Sequence, residues 1–240
     1  MKVQLIAAPF VLAVALTACT PPAQEAPPPA QEAAIAIDAP SGDYTLDKNH
    51  SSLTLRADHF GLSHYTLRFT NLDGTLTFNA EDPALSTVTA TAQTNSVQTD
   101  YPGTDRDFNA ELQNSQWFDA ATYPAITFSS TSVERTGPNT GRLTGDLAIR
   151  GQTHPVTFDV TYNSSYARHP MGPQISLIGF SAHAVVRRSQ YGLNVLLPAT
   201  GTDVGVADEV DVNIEAEFTR PVQTSTMQPA AEPAQPAPAN

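Results

Sequence analysis

The feature that most constrains this chain is an alternation of apolar and polar side chains with a period of two. In residues 52–59, SLTLRADH, one face carries Leu53, Leu55, Ala57 and His59, and the other carries Ser52, Thr54, Arg56 and Asp58. Successive side chains point to opposite faces in an extended strand, so such a run predicts a strand with one buried face. The pattern returns at Leu67 and Phe69, at Leu72, Gly74, Leu76 and Phe78, and at Val88, Ala90 and Ala92. It returns again at Ile126 and Phe128, from Ile178 to Val186, and from Val210 to Phe218. A step at Asn71, followed by Gly74, predicts a bulge or bend. Leu143, Gly145, Leu147 and Ile149 lead into a turn at Arg150-Gly151-Gln152, and Val156, Phe158, Val160 and Tyr162 come straight back. Residues 142–162 therefore read as a hairpin.

One segment has another period. Between Thr104 and Asp119, Phe108, Leu112 and Ser115 follow helical spacing, and Asp105 and Asp107 sit where they favour a helix N-terminus. The expected fold class is all-β: about eight antiparallel strands and one short helix, as a barrel or sandwich. A barrel of that size either fills its interior with side chains or holds one small ligand.

The ends of the chain differ from the middle. The opening MKVQLIAAPFVLAVALTAC has one early lysine and then an apolar run from Leu5 to Leu16, too short to span a bilayer. Leu16-Thr17-Ala18-Cys19 resembles the lipobox of bacterial lipoproteins, and Cys19 is the only cysteine. Residues 1–18 are thus expected to be a lipoprotein signal peptide, with Cys19 as the lipidation site and the membrane as a partner through it. The alternative is an ordinary signal peptide with Cys19 as a bystander. Thr20, in place of an aspartate, leans towards the outer membrane, so the expected location is the bacterial periplasm, anchored there. Residues 19–41 and 221–240 are rich in Pro and Ala and poor in large apolar groups, as in a flexible tether and a disordered tail. At about 3.1 Å per residue the tether's residues 20–40 would reach roughly 65 Å. The domain is placed at 42–220. Twelve basic against 24 acidic residues give a net charge of −12, which argues against nucleic acid as a partner.

Five stretches, in order, carry a resemblance to a known family: YTLDKNHSSLTLRADHFGLS (44–63), WFDAATYPAITFSSTSVE (117–134), LTGDLAIRGQTHPVTFDVTY (143–162), GFSAHAVVRRSQYGL (179–193) and VADEVDVNIEAEF (206–218). This set resembles the YceI-like family of bacterial periplasmic proteins. The resemblance implies a lipocalin-like antiparallel barrel with a long apolar lumen that holds polyisoprenoids or other long-chain amphiphiles. It implies no cofactor, and it leaves room for a homodimer, for which no stripe in this chain argues. The chain departs from the family where many relatives carry Arg-Asp-x-His-Leu at the helix. Here Phe108, Asn109, Ala110 and Glu111 precede Leu112, which puts a head-group role of that helix in doubt. At the later turn, Gln190 replaces an aspartate.

Candidate wall residues of such a lumen are Leu53, Leu55, Phe69, Phe78, Phe128, Phe158, Val160, Phe180, Val212 and Ile214. Each of them would serve equally well in a packed core. The small residues Ala57, Gly74, Ala90, Ala92, Gly145, Ala182, Ala184 and Ala216 leave volume that either bulky neighbours or a ligand must fill. His59 ends an apolar row, where it would meet a ligand's polar head or, alternatively, a protein partner. Arg188 or Arg187 would suit a phosphate-bearing head, but adjacent strand residues point opposite ways, so at most one faces inward. No zinc-protease motif, nucleophile elbow or phosphate loop is present, and no metal is expected, so the chain reads as non-enzymatic. The reading is a binder that sequesters or carries a long-chain amphiphile. The alternative is an envelope interaction module with a solidly packed barrel.

Overall fold

The computed structural model describes residues 35–222. Its strands are β1 (Gly42–Leu46), β2 (Ser52–His59), β3 (Ser63–Phe69), β4 (Leu72–Phe78), β5 (Thr87–Gln93) and β6 (Val97–Thr99). A short helix, α1 (Phe108–Leu112), follows, and then β7 (Ala125–Arg135), β8 (Thr140–Ile149), β9 (Gln152–Tyr166), β10 (Ile175–Arg187) and β11 (Val206–Pro221). The sheet runs β1-β4-β5-β7-β8-β9-β10-β11 and closes on itself where Thr45 meets Thr219 and Leu46 meets Phe218. This is an eight-stranded antiparallel barrel, one of the two architectures the alternation allows and the one the family resemblance implies.

Eleven strands make eight staves because three staves are broken. β11 pairs with β1 through its last residues and with β2 through the stretch from Val206 to Glu215. β4 lies beside β1 while β3 lies beside β2, and β5 lies beside β4 while β6 lies beside β3. The breaks fall at residues 47–51, 70–71 and 94–96. The step at Asn71 is thus a break between two strands, and Gly74 sits within β4 opposite Ala90. We call the end bearing the β2–β3 and β8–β9 turns and α1 the upper end.

The hairpin turns are made by residues suited to them. β8 and β9 are joined by Arg150 and Gly151 alone, with φ of 49° and 73°, and Gln152 is already in the strand. Two successive positive φ values match the right-handed twist of the flanking strands. Arg150 is held in this conformation by its guanidinium, which donates to the carbonyls of Gly192 and Ser115 at 3.0 Å each. Helix α1 begins where Asp107 accepts the Ala110 N–H at 2.9 Å, an N-cap. Asp105 instead accepts the Tyr101 hydroxyl at 2.7 Å. The helix stops at Leu112, short of Ser115, and Phe118 is buried from the turns that follow.

Two apolar clusters pack the interior. The upper one contains Phe69, Val97, Leu112, Phe118, Phe128, Phe158 and Tyr191, and the lower one Tyr44, Leu76, Phe78, Tyr162, Ile178 and Phe218. Residues 35–40, within the segment expected to be tether, run against the lower end. There the Ile35 N–H donates to Asn139 Oδ1, the Ala39 N–H donates to Ser165 Oγ, and the Tyr162 hydroxyl donates to the Ala36 carbonyl. Ala39 is buried.

Candidate functional site

Inward-facing rows on all eight staves enclose a cavity of about 820 Å³. That lies in the range of ligand sites and is far above the voids of a packed core. Along β11 its wall runs from Val206 to Phe218. Twelve strand steps span about 40 Å along the strand, or roughly 30 Å along the axis at the usual barrel tilt. The wall is apolar through its middle, where Leu53 and Leu55 of β2 stand in register with Ile214 and Val212 of β11. Over β8, whose neighbours are β7 and β9, the Phe128 and Phe158 rings meet edge to face at 5.4 Å, with Val160 next in the row. Phe69 closes on Phe118 at 5.3 Å near the upper end. At the lower end, Phe180 packs on Phe218 at 6.4 Å and Phe78 on Tyr44 at 6.4 Å.

All twelve residues singled out from the sequence for the lumen line this cavity. Two of them have environments the sequence did not give. Arg188 is 6% exposed, and its guanidinium donates to the carbonyls of Leu193, Val195, Val206 and Ala207 at 2.6–2.9 Å. It ties down the crossover between β10 and β11. Burial pulls its pKa below the usual arginine value, and the nearby Asp208 carboxylate opposes that. Arg187 lies outside and pairs with Glu209 at 2.6 Å. His59 sits at the upper rim with its ring 4.5 Å from that of Phe60; its carbonyl accepts from the Leu62 N–H, and its ring makes no hydrogen bond to the described residues. His64 stands opposite Asp58 on the outer face, so His59 and His64 look away from each other. Cys19 lies outside the described residues.

The small residues do not all leave space. A Cβ on Gly145 would lie 2.4 Å from the Phe128 ring, so that glycine is filled by its neighbour. Ala57, Ala90, Ala182 and Ala216 border the cavity. The condition of the alternative reading, a solidly packed barrel, is therefore not met.

The structure adds wall residues at both ends. Tyr65, Tyr101, Arg106, Phe108 and Trp117 gather at the upper end, and Ile37, Arg135 and Asn139 at the lower. Tyr65 was legible: extending the row of Phe69 and Leu67 by one step reaches it. Phe108 belongs to the helical spacing of α1, and Arg135 ends β7; Ile37, Tyr101, Arg106, Trp117 and Asn139 lie outside the strands and the helix, where there is no period to read. On the outside, at the first stave break, ligating atoms of Asp47, His50 and Glu217 lie within 4.8 Å of one another. Asp47 and His50 form an ion pair at 2.9 Å. The His50 hydrogen bond holds the Asp47 carboxyl below its ordinary range, and the same contact raises His50.

Comparisons with known proteins agree with this architecture. The YceI-like domain matches residues 44–218. Protein YceI of Escherichia coli is 34% identical over 182 residues, covering 75% of this chain and 87% of that protein. The crystal structure of Burkholderia cenocepacia BcnA superposes with a TM-score of 0.58 at 24% identity, over 72% of this chain and 98% of that one. A polyisoprenoid binding domain from Saccharophagus degradans superposes with a TM-score of 0.52 at 14% identity, over 74% and 98%. At these identities the two structures speak to the fold. With a continuous match from the first strand to the last and the closed barrel that the family resemblance predicts, this chain belongs to the YceI-like family.

Proposed function

We propose that this protein binds the apolar chain of a lipid inside its barrel and so keeps it from water. The observation that carries the reading is the apolar cavity of about 820 Å³ running through the bore. Roughly ten methylenes taken from water into it would gain about 8 kcal/mol before association costs, at about 0.8 kcal/mol each. The polyisoprenoid-binding neighbour is a protein of the same fold whose described ligand suits such a bore. The proposed ligand class is a polyisoprenoid or similar long-chain amphiphile, sequestered or carried within the cell envelope. The proposed setting is the periplasm, with the chain anchored to the outer membrane through a lipidated Cys19. Binding rather than catalysis is the proposed role.

The test is native mass spectrometry of the full chain carrying Cys19→Ser, expressed with export to the periplasm. Extra mass released on denaturation as one or a few long-chain species supports the reading and identifies the ligand class. A bare mass that persists after incubation with envelope lipids refutes it. The mass of the wild-type mature protein tests the anchor separately.

A further inference from the structure

The residues before β1 carry a short apolar row of their own. Ile35, Ile37 and Ala39 alternate with Ala36, Asp38 and Pro40, so in an extended run they share one face. Ala39 is buried in the lower apolar cluster with Tyr44, Tyr162 and Ile178, and Ile37 borders the cavity. The row therefore looks into the bore. Its two ends fix its path. The run joins β1 at Gly42, whose φ of 140° suits glycine. At the far end the Ile35 N–H donates at 2.7 Å to Asn139, in the turn just before β8. Around the barrel β8 stands four staves from β1 in either direction. A run between them must cross the lower end of the bore.

The end next to β1 is pinned. The Tyr44 hydroxyl donates to the Pro40 carbonyl at 2.7 Å, the Ala80 N–H donates to Ser41 Oγ at 2.8 Å, and the Arg220 guanidinium donates to the Ser41 carbonyl. The rest is held more lightly. The Asp38 and Ala39 N–H groups donate to Ser165 Oγ at 2.8 and 3.0 Å, and the Tyr162 hydroxyl donates to the Ala36 carbonyl at 2.8 Å. With the Asn139 contact these bonds all run to side chains, and residues 35–39 join no strand ladder. Ile35 and Ile37 remain 43% and 38% exposed. The upper end differs: Leu112, Phe118, Tyr191 and Leu193 are buried there in the core cluster. A segment with few buried apolar contacts lies at the low-stability end of a fold, so the lower cover is the one that opens first. Tyr162 ties this cover to the cavity. Its ring borders the cavity and packs on Phe180 at 6.0 Å, while its hydroxyl holds the crossing run.

We propose that residues 35–39 are a strap that closes the lower end of the bore over a bound chain, and that the chain enters and leaves as the strap lifts from its Pro40–Gly42 base. This rests on the lipid-binding reading above and adds to it the step that retains the cargo. Shut over the empty and the filled barrel alike, such a strap slows uptake and release together and leaves the affinity nearly unchanged.

The test uses the full chain with Cys19→Ser as the parent, and a variant of it with Ala39→Cys and Ser165→Cys. The 3.0 Å contact between the Ala39 N–H and Ser165 Oγ puts these positions within reach of a disulfide, and neither borders the cavity. A fluorescent long-chain reporter is loaded onto the reduced variant, half of the sample is oxidised, and release into phosphatidylcholine vesicles is timed. The expected result is release about tenfold slower from the oxidised form, with the rate restored by dithiothreitol. A second variant, Ser165→Ala, removes the acceptor of two strap bonds. It should take up and release the reporter about fivefold faster at unchanged affinity, and it decides alone if the thiols stay free. Equal release from the parent, the locked protein and Ser165→Ala overturns the strap while leaving the bore intact. Faster release from Ser165→Ala with unchanged uptake, and so a matching loss of affinity, makes residues 35–39 a fixed part of the wall and overturns the gate. Failure of the reporter to bind the parent overturns the lipid-binding reading and the strap with it.

Discussion

Arg188 offers a sharp test of what holds the upper end together. Its four bonds reach the carbonyls of Leu193, Val195, Val206 and Ala207. Arg188→Met keeps the apolar stem and removes every donor. At about 1.5 kcal/mol for each hydrogen bond to a charged group, the gross loss is about 6 kcal/mol. Three of the four bonds are only part-buried, so their carbonyls can turn to water once released. The expected net cost is therefore about 3–5 kcal/mol, as when one partner of a buried charged network is removed. Arg188→Lys keeps the charge but places its three donors on one atom, which cannot span carbonyls lying on both sides of a planar fork. It should restore less than half of the loss. Urea unfolding followed by the fluorescence of Trp117, the single tryptophan, measures this. With a slope of about 2 kcal/mol per molar, the midpoint of Arg188→Met falls by about 1.5–2.5 M. A loss below about 1 kcal/mol, or a lysine variant as stable as wild type, would refute the staple.

Three further outcomes follow from the same geometry. Ala182→Phe puts a ring into the cavity; chain binding should be lost while stability changes by less than about 1 kcal/mol, whereas a filled core would be overpacked by about 1–3 kcal/mol. Thermal melts and reporter displacement on one sample separate these results. Gly145→Ala drives a methyl against the Phe128 ring and the Ser129 carbonyl, both at 2.4 Å, and should cost about 1–3 kcal/mol in urea titrations although only one carbon is added. The Asp47–His50 pair gives a signed pH dependence. His50 is raised, so its contribution is present below its ordinary value of about 6.5 and is lost as pH rises through the folded value. Asp47 is lowered, so its contribution is present above about 3.9 and is lost as pH falls through the folded value. The pair should therefore support the fold most between about pH 4 and 6.5, and His50→Ala should lower stability within that window and remove the pair's share of the fall on either side of it, read from urea midpoints across pH.

The strands were legible because a period of two needs nothing beyond the local chain. Leu53, Leu55, Val212 and Ile214 could be placed on one wall from alternation alone, and register then set them side by side. The stave breaks were only half legible. Asn71 shows as a step in its row, but the break at 94–96 exists because β6 must follow β3 after β5 has followed β4, which is a tertiary demand. Arg188 shows the same limit. Alternation allowed one of the two arginines to face inward, but the carbonyls it meets come from a crossover with no periodic pattern. Gly145 looked like spare volume until a ring from the neighbouring stave filled it. Ile35, Ile37 and Ala39 form a row within the stretch expected to be tether, yet only the order of the staves shows that this row crosses the bore.

The double duty of β11 has a consequence for how the chain comes to be folded. It is the last stave, pairing with β10 on one side and with β1 and β2 on the other. Thr45 waits for Thr219, 174 positions further on. A chain still being made, or cut short before Val206, therefore lacks one complete stave and shows two open edges. Unpaired edges are templates for strands from other molecules. The strand that seals the lumen is thus also the one whose arrival removes both adhesive borders at once.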